Sequence, residues 1–326
     1  MSENTKQLIS IVVPCYNESW NISGCFDGLS TVASHDKHHD YEFIFVDDGS
    51  SDTTLPKLQE LAGSDTRVRI VSFTRNFGKE MATTAGLHQA RGDATIVLDA
   101  DGQHPCDMVP EFIAKWHAGA HVVIGVRSNS YSSSWKNLTS RWFYRIFNQY
   151  SDTQLVPGST DFRLIDREVR REFVKLTEHN RMSRGLIDWL GYHPEYVEFE
   201  MAVRANGEAS YSFNKLVGLA FNSFVSLSLK PLYVMAYSGL AALALSTLLA
   251  VFSAAEMLVG DPLNLRITGS AYLVMLVLFL LGIILISQGI LALYISHIHT
   301  ESKNRPLYVL NRDASRGLDE TRDTNA

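Results

Sequence analysis

A chain of 326 residues with 46% hydrophobic content and a formal net charge of −6 has room for one large domain or two smaller ones. The negative balance, with no basic stripe interleaved with aromatics, argues against a nucleic-acid partner. Three cysteines, Cys15, Cys25 and Cys106, lack metal-ligand spacing, so they read as packing residues rather than a disulfide framework or a metal centre.

Residues 1–10 are polar and the first apolar run, 8–13, is only strand-sized, so no cleavable signal is expected. Short apolar runs at 9–14, 42–46, 68–73, 94–98 and 121–125 then alternate with longer amphipathic segments. That alternation predicts an α/β domain with a mainly parallel sheet. Ligands of such sheets sit at the carboxyl ends of the strands. The residues just after each run are Cys15-Tyr16-Asn17-Glu18, Asp47-Asp48-Gly49-Ser50, Arg75-Asn76-Phe77-Gly78-Lys79, Asp99-Ala100-Asp101 and Gly125-Val126-Arg127. Every tip carries acidic, basic or small polar side chains, which points to function.

In Ile96-Val97-Leu98-Asp99-Ala100-Asp101 the two carboxylates are spaced i and i+2, so both leave the strand on one face. Hard oxygen ligands in that position suit Mg²⁺ or Mn²⁺, with phosphate oxygens completing the shell. In Asp47-Asp48-Gly49-Ser50-Ser51-Asp52, a turn-forming glycine lets carboxylates meet the donor groups of a base or ribose, while Asp52 is assigned to capping the next helix.

Further along, residues 135–149 read as an amphipathic helix carrying Lys136, Arg141 and Arg145. A turn at Pro157-Gly158 precedes Asp161-Phe162-Arg163-Leu164, and a segment with Arg181 and Arg184 follows. Residues 211–231 are too polar to span a bilayer and fit helices lying in its interface, with core of the cytoplasmic domain as the alternative. Residues 232–255 and 271–295 are nearly uninterrupted apolar runs, each long enough to cross. Lys215 and Lys230 precede the first and Lys303 and Arg305 follow the second, placing both flanks in the cytoplasm. The charged tail, 311–326, has no apolar periodicity and is expected to be disordered. The resulting organisation is a cytoplasmic domain over 1–210, interfacial helices, a two-helix hairpin and a cytoplasmic segment over 296–326.

Val13-Pro14-Cys15-Tyr16-Asn17-Glu18, Val46-Asp47-Asp48-Gly49-Ser50-Ser51-Asp52, Arg75-Asn76-Phe77-Gly78-Lys79 and Asp99-Ala100-Asp101-Gly102-Gln103-His104-Pro105 together resemble the inverting, family-2 type glycosyltransferases. The resemblance is closest to the polyprenyl-phosphate branch, which includes dolichol-phosphate mannose synthases and bactoprenol-phosphate glucosyltransferases. Asn180 to Leu186, Tyr211 to Lys215 and Glu301 to Tyr308 are similar to that branch too, so the likeness runs from about residue 8 to residue 310.

The resemblance implies a GT-A-like Rossmann-type domain that moves one hexose, with inversion, from a UDP- or GDP-sugar to undecaprenyl phosphate or a similar polyprenyl phosphate. Pro14, Tyr16, Glu18, Asp47 and Asp48 would hold the nucleoside, with Arg75 and Lys79 adding charge nearby. Asp99, Asp101 and Gln103 would bind the metal that bridges the diphosphate, making Asp101 catalytic. Arg127, Lys136, Ser140 and Arg141 would take the lipid phosphate. Asp161 falls where the branch places a base. The acceptor phosphate is already largely dianionic at neutral pH, so Asp161 either takes a proton or positions a substrate. Gly102 departs from the leucine usual in relatives and is expected to loosen the metal loop. The implied location is the inner, cytoplasmic membrane, multi-pass, with homo-oligomers and a downstream flippase or glycosyltransferase as partners. The alternatives are a saccharide or diacylglycerol acceptor, or a non-catalytic nucleotide-sugar-binding membrane module.

Overall fold

The computed structural model describes residues 6–128, 158–179, 181–200 and 269–319, with scattered helical residues between 237 and 251. The chain divides into two compact units, residues 1–213 with 304–326, and residues 214–303.

All five expected strands form: β1 (Gln7–Cys15), β2 (His39–Asp47), β3 (Val68–Ser72), β4 (Ala94–Val97) and β5 (Val122–Arg127). Their near-continuous apolar character follows from burial on both faces, which parallel strands covered by helices require. With a side-chain period of two, Ile9, Ile11, Val13, Phe43 and Phe45 pack into one core. Val12, Ile44, Val46 and Val71 pack into another on the opposite face.

Helices α1 (Ile22–His35), α2 (Thr54–Ser64) and α4 (Val109–His117) contribute to the first core and α3 (Lys79–Gln89) to the second. In α1 the buried residues Ile22, Cys25, Phe26, Leu29 and Ala33 form one stripe at helical spacing.

Two further strands, β6 (Ser159–Asp166) and β7 (Pro194–Phe199), complete a seven-stranded sheet of order β3-β2-β1-β4-β6-β5-β7. The pairs β1–β2, β1–β4, β2–β3 and β5–β7 are parallel. Strand β6 runs antiparallel to both β4 and β5, so the sheet is mixed there. Helices α5 (Arg167–Val174) and α6 (Ser183–Trp189) follow β6 and cover the second core.

The expectation of disorder over 311–326 is corrected for 311–319, and 320–326 lie outside the described residues. Residues 307–319 lie along the outer edge of β3, with antiparallel bridges Phe73↔Leu310 and Ile70↔Arg316. Tyr308 is buried and stacks on Phe73 with ring centroids 4.9 Å apart. Its hydroxyl lies 3.1 Å from Nδ1 of His88. The Thr74 amide donates to Val309 O at 3.0 Å and Asn311 donates to Ser72 O at 2.8 Å. Arg69, ion-paired to the buried Glu42 at 2.7 Å, also donates to Gly317 O at 2.8 Å. Pairing to an open sheet edge, rather than apolar periodicity, orders this charged stretch.

In the second unit a continuous helix covers Gly269–Ser302, and within it Phe279–Ser296 is long and apolar enough to cross a membrane. Leu273, Val277, Phe279, Ile284, Ile286 and Ile295 are exposed along it. The described residues of 232–255 are helical. The remainder of that expected span, the interfacial stretch 211–231 and the helix expected over 135–149 lie outside the described residues.

Candidate active site

The loops after β1, β2, β3 and β4 meet at the carboxyl edge of the sheet around a cavity of about 330 Å³, in the size range of small-molecule clefts. Pro14, Tyr16 and Glu18 line it from the β1 loop, and Asp48 lines it from the β2 loop. Lys79, Asp99 and Asp101 complete its charged wall. Seven residues of the expected nucleotide-sugar and metal sets therefore share one cavity. Asn76, Gly78 and Cys15 line it as well. Burial and neighbouring carboxylates hold the Cys15 thiol well above the ordinary range, so it is an inert packing group.

Backbone hydrogen bonds fix these loops to one another. Asn17, in the left-handed region at φ 55, receives Ser51 N–H on its side-chain oxygen at 2.9 Å, and its own amide donates to Ser50 Oγ at 3.0 Å. The N-cap position of α2 is Thr53, and Asp52 serves the helix start from one residue earlier: Oδ1 accepts from Thr54 N at 2.9 Å, while Oδ2 accepts from Ser19 N at 3.3 Å.

The adjacent acids Asp47 and Asp48 divide. Asp47, 1% exposed, does not line the cavity; Oδ1 accepts from Ser50 N at 3.1 Å and Oδ2 from Ser72 Oγ at 3.0 Å. Asp48, 2% exposed, accepts from Phe77 N at 2.7 Å and from Gly78 N at 2.9 Å. Burial raises the Asp48 pKa, against the opposing pull of those two N–H donors. Asp48 is thus the anchor of the loop that delivers Lys79. Between the two loops a Cβ on Gly49, at φ +64, would lie 2.3 Å from the carbonyl carbon of Arg75, so only glycine fits.

Lys79 opens α3 and reaches across the site. Its ammonium lies 2.6 Å from Asp99 Oδ1 and 2.8 Å from Asp161 Oδ2. Burial opposes the Lys79 charge, but Asp99 and Asp161 outweigh it and hold the pKa above the usual lysine range. Asp161, on β6, feels the reverse: burial would raise its pKa, but Lys79, followed by Arg184, Lys79's hydrogen bond and Arg163, brings it down to about 2.

Asp99 and Asp101 both face the cavity from the end of β4. The Asp99 amide donates to His104 Nδ1 at 3.0 Å, and Asp101 Oδ1 accepts from Gln103 N at 3.1 Å. His104 is buried and its ring stacks on Phe162, centroids 5.2 Å apart. It braces the loop that carries Asp99 and Asp101, a role unassigned in the sequence although the residue sits inside the motif. Gln103 meets Asp101 through its main chain and does not line the cavity. Gly102 has φ +74 with open space around a would-be Cβ, so a leucine there would find room but a strained backbone.

Among the described residues no three His, Cys, Asp or Glu side chains could hold a metal unaided. Two carboxylates at an open cavity nevertheless suit a hard divalent cation, which commonly takes one or two carboxylates plus phosphate and water oxygens.

Arg75 and Arg127 lie outside the cavity lining. The Arg75 guanidinium stands 4.0 Å over the Phe77 ring and donates to Asn76 O at 3.0 Å. Arg127 is exposed at the end of β5. Lys136, Ser140 and Arg141 fall outside the described residues.

Residues 10–173 match the glycosyl transferase family 2 description. The chain is 38% identical over 307 residues to the bactoprenol glucosyl transferase of Shigella phage SfV, covering 94% of this chain and 98% of that protein. It is 37% identical over 303 residues to CsbB of Bacillus subtilis (strain 168), covering 93% and 91%. The crystal structure of mannosyl-3-phosphoglycerate synthase from Rubrobacter xylanophilus is similar with a TM-score of 0.49 at 17% identity, over 67% of this chain and 71% of that one. The chain belongs to glycosyl transferase family 2. It is a glycosyltransferase with the α/β, GT-A-like architecture that its motifs lead one to expect.

Proposed function

We propose that the protein transfers one hexose from a nucleotide sugar to a polyprenyl phosphate at a bilayer surface, with inversion at the anomeric carbon. The observation that carries this reading is the reach of the similarity. It extends past the catalytic domain through the apolar helix Gly269–Ser302 to cover 98% of a bactoprenol glucosyl transferase.

In this reading a phosphate oxygen of the acceptor attacks the anomeric carbon as the bond to the nucleoside diphosphate breaks. Asp99 and Asp101 would hold Mg²⁺ or Mn²⁺, which when bound offsets the charge of the departing diphosphate. Tyr16, Glu18 and Pro14 form the side of the cavity available to the nucleoside. Lys79 couples the two ends of the site, since one ammonium touches both Asp99 and Asp161. With a pKa near 2, Asp161 stays a carboxylate and accepts protons poorly at neutral pH. A dianionic acceptor needs no base, so Asp161 orients substrate. Arg127, Lys136, Ser140 and Arg141 would receive the acceptor phosphate.

In this reading Gly269–Ser302 and 232–255 form a two-helix hairpin, supported by the length and apolar character of each stretch, with the flanking residues on the cytoplasmic side.

Purified protein with Mg²⁺ or Mn²⁺, undecaprenyl phosphate and a panel of UDP- and GDP-sugars should form a lipid-linked sugar. No product from any donor would sink the reading.

A further inference from the structure

On the far side of Lys79 from the main cavity lies a recess of about 20 Å³, bordered by Glu80, Asp161, Ser183, Arg184 and Ile187. That volume admits one water-sized group. Two of the lining residues carry a buried donor with no hydrogen-bond partner among the described residues: Oγ of Ser183 and Nε of Arg184. Ser183 as a whole is 6% exposed. Its main chain is fixed, because Ser183 N donates to Glu80 Oε2 at 2.7 Å. Buried polar atoms are almost always paired, so two unpaired donors on adjacent lining residues indicate a missing partner.

The lining selects the chemistry of that partner. Ser183 and Arg184 offer N–H and O–H donors, whereas Asp161 offers a carboxylate of which Oδ2 serves Lys79. A group that accepts from one side and donates to the other satisfies both. A phosphate oxygen only accepts, and it would face the carboxylates of Asp161 and Glu80. A sugar hydroxyl does both. Lys79 borders the recess and the cavity alike and touches Asp99, so the hollow lies beside the place where a sugar on the diphosphate would stand.

We propose that Ser183, Arg184 and Asp161 receive one hydroxyl of the transferred sugar, which makes Ser183 and Arg184 determinants of which hexose is accepted. This rests on the nucleotide-sugar reading above and names the part of the substrate that those residues read.

The test uses full-length protein with undecaprenyl phosphate. Wild type, Ser183→Ala, Arg184→Met and Arg184→Lys are compared on UDP-glucose, UDP-galactose, UDP-N-acetylglucosamine and GDP-mannose, then on the 2-, 3-, 4- and 6-deoxy forms of the best donor. Wild type should discriminate against one deoxy donor by about 10²-fold or more in kcat/KM, because a site built around a hydroxyl rejects the analogue that lacks it. Ser183→Ala and Arg184→Met should shrink that ratio to within about tenfold, with inhibition by the free nucleotide unchanged. Arg184→Lys should not restore it, since lysine lacks the Nε–H. An unaltered discrimination pattern would overturn the proposal and leave an ordered water as the occupant. So would a loss of free-nucleotide affinity in step with that for the sugar nucleotide. If wild type transfers no donor at all, the functional reading fails before any variant is made. Calorimetry of each sugar nucleotide against its free nucleotide then still decides the recess: equal affinities in wild type and in Ser183→Ala refute it.

Discussion

Changing Asp48 to asparagine separates two readings of that residue. The motif suggests a nucleoside contact, whereas the structure commits both carboxylate oxygens to the amides of Phe77 and Gly78, at 2.7 and 2.9 Å. Asparagine can accept only one of those bonds and presents an NH₂ to the other N–H. A hydrogen bond to a charged group contributes about 1.5–3 kcal/mol, so losing one and weakening the second should destabilise by about 3 kcal/mol. For a domain of this size that is roughly 6–12 °C in Tm. Hydrogen exchange resolved at single amides should show Phe77 and Gly78 deprotected, and kcat/KM should fall because Lys79 is no longer delivered to Asp99 and Asp161. Asp47→Asn is the control. Its Oδ2 accepts from the Ser72 hydroxyl, which can turn to accept from an NH₂, so the cost should stay below about 1 kcal/mol. Unchanged Tm and unchanged exchange at Phe77 and Gly78 in Asp48→Asn, with only nucleotide affinity reduced, would refute the anchoring role.

Asp101→Ala should abolish transfer while leaving the far-ultraviolet circular dichroism and Tm near wild type, and retained activity would refute the proposed metal-binding role of Asp101. Burial, with the charge of Arg181, depresses the His88 pKa to about 4, whereas the unfolded chain titrates near about 6.5. Between those values the unfolded state binds more protons, so stability falls as pH drops from about 6.5 to 4, by up to about 3 kcal/mol. Thermal unfolding at pH 7, 5.5 and 4.5 measures this, and His88→Gln should flatten the slope. Tyr308→Ala removes a buried ring stacked on Phe73 and should cost about 3–4 kcal/mol. It should also speed exchange at the Thr74 amide, which bonds Val309; an unaltered rate there would mean the segment does not brace β3.

Strands β1 to β5 were legible because burial on both faces leaves a continuous apolar run in the sequence. Strand β6 was not: its first residues, Ser159, Thr160 and Asp161, are half-buried and polar because they reach the site. Strand β7 exposes Glu195, Tyr196 and Glu198 at the sheet edge, so its pattern mixes with that of a loop. At the site, the residue types in the motifs were enough to gather Tyr16, Glu18, Asp48, Lys79, Asp99 and Asp101. What the spacing could not tell was direction. Asp47 and Asp48 are neighbours, yet one turns to Ser72 and the other to the Lys79 loop. Nor could it give the brace by His104, which depends on a ring packed against Phe162 from a strand 58 residues away (162 minus 104).

The strap along β3 has a consequence for how the enzyme is made. Ser72 and the Ser315 hydroxyl that receives its N–H are 243 residues apart, and the whole apolar helix Gly269–Ser302 is translated between them. During synthesis the outer edge of β3 therefore stays open, with its backbone donors and acceptors unpaired, until that helix has left the ribosome. The loop leading from β3 to Lys79 acquires its last support only then. Assembly of the sheet and emergence of the apolar helix are thus ordered in time, and the catalytic domain is finished by the segment that follows that helix.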